Sequence, residues 1–137
     1  MKTWPQDIHE MHTKFGHRDA VKNMDPSILK KLLEFRINFL QEELDETRKA
    51  LEEDFDPEEI IDGCIDLCVV AIGTLDLFDV DVQEAWDRVH AANMSKKAGI
   101  KPGRPNPLGL PDLMKPEGWV APNHLDNHGF MAKAFES

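Results

Sequence analysis

Polar and apolar positions recur along most of this chain with a helical period. Between Pro26 and about Glu53, apolar residues fall at 28, 29, 32, 33, 37, 40 and 44, the three- and four-residue spacing that gathers side chains on one helix face. Asp25-Pro26 before this run and Asp56-Pro57 before the next each join a capping carboxylate to a proline in the first turn, where the missing N–H breaks no helical bond. The second run reaches about Leu77. Its middle, CIDLCVVAIGTLDLF, is apolar nearly all round, the pattern of a helix covered on several sides. A shorter helix is expected within residues 1–17, with Thr3 as cap, Pro5 in the first turn and Gly16 as its end, and residues 18–25 read as a polar connection. A fourth long helix starts at Asp79 or Asp81, reaches about Lys97 and stops at Gly99. No internal repeat is evident beyond the two Asp-Pro starts.

After residue 99 the pattern changes. Residues 100–137 are rich in proline and glycine, with little periodicity before residue 124. The expected organisation is a helical domain over 1–99 and an extended C-terminal arm over 100–137 that packs on the bundle or on a neighbouring subunit. The expected fold is all-α, an antiparallel bundle of about four helices. A chain of 137 residues would leave part of the Cys64–Leu77 stretch wet, so the bundle is expected to be completed by homo-oligomerisation.

Composition narrows the partners. The formal net charge is −10, with 26 acidic residues against 16 Lys and Arg, which argues against a nucleic-acid backbone or an anionic membrane surface. No apolar run is long enough to span a bilayer, and no secretory signal pattern opens the sequence. Cys64 and Cys68, four apart in an apolar helical stretch, read as reduced core thiols rather than a disulfide or zinc pair. These features together predict a cytoplasmic protein.

The placement of the acids carries the chemistry. Glu43 and Glu46 are three apart on one helix; Glu59 and Asp62 are three apart on the next, with Asp66 four further on. The face of Glu59, Asp62 and Asp66 continues through Val69, Val70, Gly73 and Leu77, so the carboxylates extend an apolar stripe. A short connection makes the two helices antiparallel neighbours. At about 1.5 Å per residue, Glu46 then stands level with Asp62, and Glu43 with Asp66. Carboxylates without cations beside them shift their pKa, find partners or hold a metal. An all-oxygen donor set suits Mg²⁺, with Mn²⁺ as substitute, better than zinc. Glu42, Asp45, Glu52, Glu53 and Glu58 read as an ordinary solvated face.

Other polar positions have two readings. His90, Asn93 and Lys96 recur every three residues on the fourth helix, as phosphate or base contacts or as a polar helix end. Lys115 to Trp119, KPEGW, offers a cation, a tight turn and an aromatic face, fit to hold a phosphate, stack a base or anchor the arm. His9, His12 and Phe15 share one side of the first helix, as a pocket edge or as packing. No P-loop, GxSxG, HExxH or paired CxxC is present.

As an ordered set, EELDE (42–46), twelve residues, then EIID (59–62) resembles the motif EExxE…ExxD of the MazG-like all-α nucleoside triphosphate pyrophosphohydrolases. The small phage-type members, which include a dGTP-directed form called MazZ, are similar in DGCIDLCVVAIGTLDLFDVD, VHAANMSK, the MHTKFG start and the closing KPEGW with Pro122. The resemblance covers most of residues 4–122; a long proline-rich insertion between Lys97 and Lys115 departs from it. It implies a catalytic 1–99 domain in which Glu43, Glu46, Glu59 and Asp62 ligate Mg²⁺, Asp66 adjoins them, and Asn93 and Lys96 touch substrate phosphate or sugar. Lys115 and Trp119 are further substrate-contact candidates. It implies cleavage of a (deoxy)nucleoside triphosphate between the α- and β-phosphates to a monophosphate and diphosphate, by dimers or tetramers, in a host cytoplasm if the chain is phage-encoded. A carboxylate not fully used as a ligand accepts the proton of the attacking water, and Glu43 and Glu46 are both candidates. The alternatives are a phosphoribosyl-ATP pyrophosphohydrolase, which uses a similar bundle, and a non-catalytic helical interaction module.

Overall fold

The computed structural model describes residues 1–103 and 108–136. Among these are six α-helices: α1 (Trp4–Lys14), α2 (His17–Lys22), α3 (Pro26–Lys49), α4 (Pro57–Leu77), α5 (Val82–Met94) and α6 (Met131–Ala134). A π-helical turn, Ala50–Asp54, follows α3, and two short strands, β1 (Lys97–Gly99) and β2 (Asp112–Met114), pair antiparallel. The molecule is mainly helical, as expected; the strands were not foreseen. It forms two compact units, residues 1–82 with 127–137, and residues 83–126. The division drawn from composition, 1–99 and 100–137, does not coincide with these units.

In the first unit the local signals act as expected. Thr3 and Gln6 form a capping box around the start of α1, Asp25 accepts from the Ile28 amide, and Asp56 accepts from the Glu58 amide. Gly16, with φ of 75°, ends α1 in the left-handed region that glycine enters freely. Residues 18–22, expected as part of a polar connection over 18–25, instead belong to α2, because Val21 is buried in the core. That core joins Val21, Leu29, Leu77, Phe78 and Ala134, flanked by Met24, Leu32, Leu33, Phe130 and Met131. Arg36 meets Val70 and Thr74, while Thr47 meets Gly63. Contacts that rise along one helix and fall along the other make α3 and α4 antiparallel.

Residues 127–136 return to this unit. Asn127 exchanges two hydrogen bonds with the Asp81 backbone, at 2.8 and 2.9 Å, and the Phe130 amide donates to the Phe78 carbonyl at 2.6 Å. Gly129 sits at φ of 54°, where an added Cβ would collide with the Phe78 carbonyl oxygen. Gly129→Ala should therefore release the terminal segment rather than compress it. The cost is capped by the docking of Phe130, Met131 and Ala134, about 2–3 kcal/mol for their partial burial. Limited proteolysis should then cut near residue 129 while α3 and α4 stay protected.

In the second unit, α5 ends at Met94. Gly99 lies in β1 opposite Asp112 rather than acting as a helix stop. Arg88 grips the Asp126 carboxylate with two nitrogens, at 2.6 and 3.0 Å, and also donates to Glu84 at 3.0 Å. Part of the proline-rich insertion, residues 104–107, lies outside the described residues.

Candidate active site

Glu43, Glu46, Glu59, Asp62 and Asp66 all line one open cleft between α3 and α4, of about 330 Å³, together with Thr47, Lys49, Asp54 and Gly63. It lies at the π-turn end of the helix pair, away from the core. Glu43 is half-buried and the other four acids are exposed. The carboxylates thus form the wet edge of the helix seam and not, as expected, a buried continuation of its apolar stripe. The reason is local: the fully buried residues of α4 begin at Val70, whereas its N-terminal half, where Gly63 faces Thr47 of α3, holds none. Among the described residues, no three His, Cys, Asp or Glu side chains converge closely enough to hold one metal ion as they stand. Exposed Glu and Asp side chains change rotamer at small cost, so this set can draw together without refolding.

Electrostatics distinguish one member. Partial burial, then the neighbouring charges of Glu46, Asp66 and Glu42, hold the Glu43 pKa above its ordinary value. The protonated form of Glu43 is favoured accordingly.

Two residues that shape the cleft have no motif of their own. A Cβ on Gly63 would collide with Thr47 Oγ1 and lie 3.1 and 3.2 Å from Thr47 Cβ and Cγ2. Thr47 is itself fixed, its hydroxyl donating to the Glu43 carbonyl at 2.8 Å. Because all three Thr47 atoms lie close, a rotamer change cannot make room. Gly63→Ala should push the helices apart and cost about 1–3 kcal/mol by overpacking. Adding Thr47→Ala removes Oγ1 and Cγ2 and should recover part of that loss, as urea titration of the single and double variants would show.

A buried polar layer separates the cleft from the core. Arg36, on α3, donates from Nε to Thr74 Oγ1 at 3.1 Å and to the Val70 carbonyl at 3.0 Å. Burial pushes its pKa down. Asp76, only 5% exposed, accepts from His12 Nδ1 at 2.8 Å and His9 Nδ1 at 3.0 Å, and pairs with Arg18 at 3.2 Å. An ionised carboxylate only accepts, so the ring protons sit on Nδ1 of both histidines. His12 is thus a packed, paired residue rather than a pocket edge. Its Asp76 partner escaped sequence reading because an aspartate inside an apolar run gives no local cue to a histidine 64 positions away.

The remaining candidates lie in the second unit. Trp119 donates from its ring N–H to the Ala92 carbonyl at 2.9 Å, with the Lys96 and Lys115 ammonium groups 5.3 and 5.1 Å from its ring centre. Asn93 and His90 are exposed on α5. Cys64 and Cys68 are free, as expected, but exposed rather than in the core. With Trp4, Ile61 and Ile65 they leave much of the surface of α1 and α4 apolar.

Such a helical scaffold, with paired acidic motifs on adjacent antiparallel helices, is that of the all-α nucleotide pyrophosphohydrolases. A family model described as phosphoribosyl-ATP pyrophosphohydrolase matches residues 8–93, and the chain belongs to that family, within the MazG-like all-α superfamily. It is a hydrolase acting on phosphoric anhydride bonds. No curated protein matches it significantly. No helix among the described residues is long and apolar enough to cross a membrane.

Proposed function

We propose that this enzyme hydrolyses a nucleoside triphosphate, in an Mg²⁺-dependent reaction, to a nucleoside monophosphate and diphosphate. The observation that carries the reading is the single cleft lined by both acidic motifs. Its donors are carboxylate oxygens, with no His or Cys among its lining residues, which fits Mg²⁺ or Mn²⁺. Glu43, Glu46, Glu59 and Asp62 would hold the ion, with Asp66 beside them. Bound there, Mg²⁺ supplies charge neutralisation for the phosphates and lowers the pKa of a bound water. The chain's own part is to align that water and take its proton. Glu43 and Glu46, three apart on one helix face, are both placed to serve as that base. The lining residues include no serine, cysteine or histidine, and the one hydroxyl among them, that of Thr47, is tied to the Glu43 carbonyl, so displacement is direct, with one inversion at phosphorus.

Phosphoribosyl-ATP is the second reading, favoured by the family model itself; the bond broken is again the one between the α- and β-phosphates. A panel of ribo- and deoxynucleoside triphosphates, dGTP included, set beside phosphoribosyl-ATP and assayed for diphosphate release with and without Mg²⁺, separates the two. Orthophosphate with a nucleoside diphosphate as first products would overturn both. The apolar surface around Ile61, Ile65 and Trp4 supports assembly as a homodimer or homotetramer, and an active monomer at micromolar concentration in light scattering would defeat that part.

A further inference from the structure

Among the described residues lining the carboxylate cleft, Lys49 is the one cation, set against Glu43, Glu46, Asp54, Glu59, Asp62 and Asp66. It follows Glu46 by three positions, so it extends the acidic face of α3 by one turn. Its ammonium lies 3.7 Å from Asp54, and both side chains are largely exposed. This pairing depends on the π-turn. In an α-helix, positions five apart point about 140° away from each other; the widened i→i+5 turn, closed by the Phe55 amide on the Ala50 carbonyl, brings positions 49 and 54 together. Phe55, at φ of 50°, and buried Ala50 hold that turn in place.

We propose that Lys49 is a substrate-binding residue, taking a phosphate oxygen at the mouth of the cleft in exchange for its contact with Asp54. The inference rests on the triphosphate reading above. An exposed ion pair is weak, so giving it up costs little. A charge-assisted contact to phosphate is stronger, and a polyphosphate entering so acidic a cleft gains from a cation on the protein beside the metal. Asp54 keeps the ammonium beside the cleft acids in an exposed contact that it can give up.

The test is calorimetric titration of the full-length protein with a non-hydrolysable α,β-methylene nucleoside triphosphate in Mg²⁺, beside titration with Mg²⁺ alone. Lys49→Ala should weaken analogue binding about tenfold. It should leave Mg²⁺ binding unchanged or tighter, because a positive charge has left an acidic site. Lys49→Arg should keep most of the affinity, and Asp54→Asn should keep or improve it. A merely structural lysine would lower thermal stability and weaken both ligands together. If the parent chain hydrolyses nucleotide while Lys49→Ala binds the analogue as tightly as the parent, the assignment of Lys49 is overturned and the proposed reaction stands. If the parent neither binds nor hydrolyses any triphosphate, both fall.

Discussion

Glu46→Gln, Glu59→Gln and Asp62→Asn should each cut kcat/KM for diphosphate release by about 100-fold or more, roughly 2.7 kcal/mol of transition-state stabilisation, with no loss of fold. Glu43→Gln should do the same. Each replacement keeps the shape and hydrogen-bonding capacity of the side chain but removes one negative charge from a crowded cleft. Repulsion among the acids falls, so the metal-free variants should melt no lower than the metal-free parent. They should lose the rise in melting temperature that Mg²⁺ gives the parent, because that rise measures binding to the folded state alone. Glu43 adds a pH signature. Its folded pKa lies above the ordinary 4.5, so the fold favours the protonated acid. Its contribution to stability is present below 4.5 and lost as pH rises through the folded value; Glu43→Gln should flatten that part of the metal-free stability profile. Thermal scans with and without Mg²⁺, paired with the activity assay, check both arms. Two or more variants with near-parental turnover would place the active site elsewhere.

What could be read in the sequence follows the range of each interaction. The Asp25-Pro26 and Asp56-Pro57 starts and the Thr3 cap were legible because each rests on a side chain and an amide two or three residues apart, and the Gly16 end because it rests on one residue's own φ of 75°. The grouping of Glu43, Glu46, Glu59, Asp62 and Asp66 was legible because a short connection fixes which levels of two antiparallel helices face each other. Their exposure was not. A helical period gives the face a residue occupies but not how far along that face the packing continues, and here it loosens beyond Val70. The π-turn escaped because ALEED is as good a helix sequence as its neighbours. Its cause is tertiary, the burial of Ala50 and the reversal at Phe55. Gly63 escaped because one glycine in a helical run looks like a small flaw until the side chain opposite, Thr47, is known. The exposed Cys64 and Cys68 show the same limit: an apolar period marks a face that can be covered without saying what covers it.

Asp76→Asn should destabilise the protein by about 3–5 kcal/mol at neutral pH, the scale of breaking a buried charged cluster by removing one member. Asp76 gathers three donors from two other helices, His9 and His12 of α1 and Arg18 of α2. An amide in its place presents one acceptor instead of two, and its NH₂ group faces donors. Arg18 also donates to the Asp76 carbonyl at 2.7 Å and to Asp79 at 2.9 Å. The Asp79 carboxylate is more than half exposed, and asparagine tolerates its positive φ of 58°, so Asp79→Asn should cost less than about 1 kcal/mol and serves as the control. The pH dependence is fixed in sign by both shifts. Burial pulls the Asp76 pKa upward, but the hydrogen bonds from His12 and His9 and the charge of Arg18 outweigh it and hold the group below its ordinary 3.8. Its contribution is therefore present above 3.8 and lost as pH falls through the lower folded value. For His12, burial outweighs the pull of Asp76 and keeps the pKa below its ordinary 6.5. As pH falls below 6.5 the unfolded chain takes up that proton first, so stability again declines toward acid. Urea unfolding from pH 7 down to 3 should show this decline in the parent, beginning below about 6.5, and a shallower one near 3.8 in Asp76→Asn. The consequence reaches the cleft, because Arg36 and His12 meet at Gly73, in the layer that ties α1 and α3 to α4, the helix that carries Glu59 and Asp62. A parental stability within about 0.5 kcal/mol for Asp76→Asn would mean that α1 is held by its apolar contacts alone.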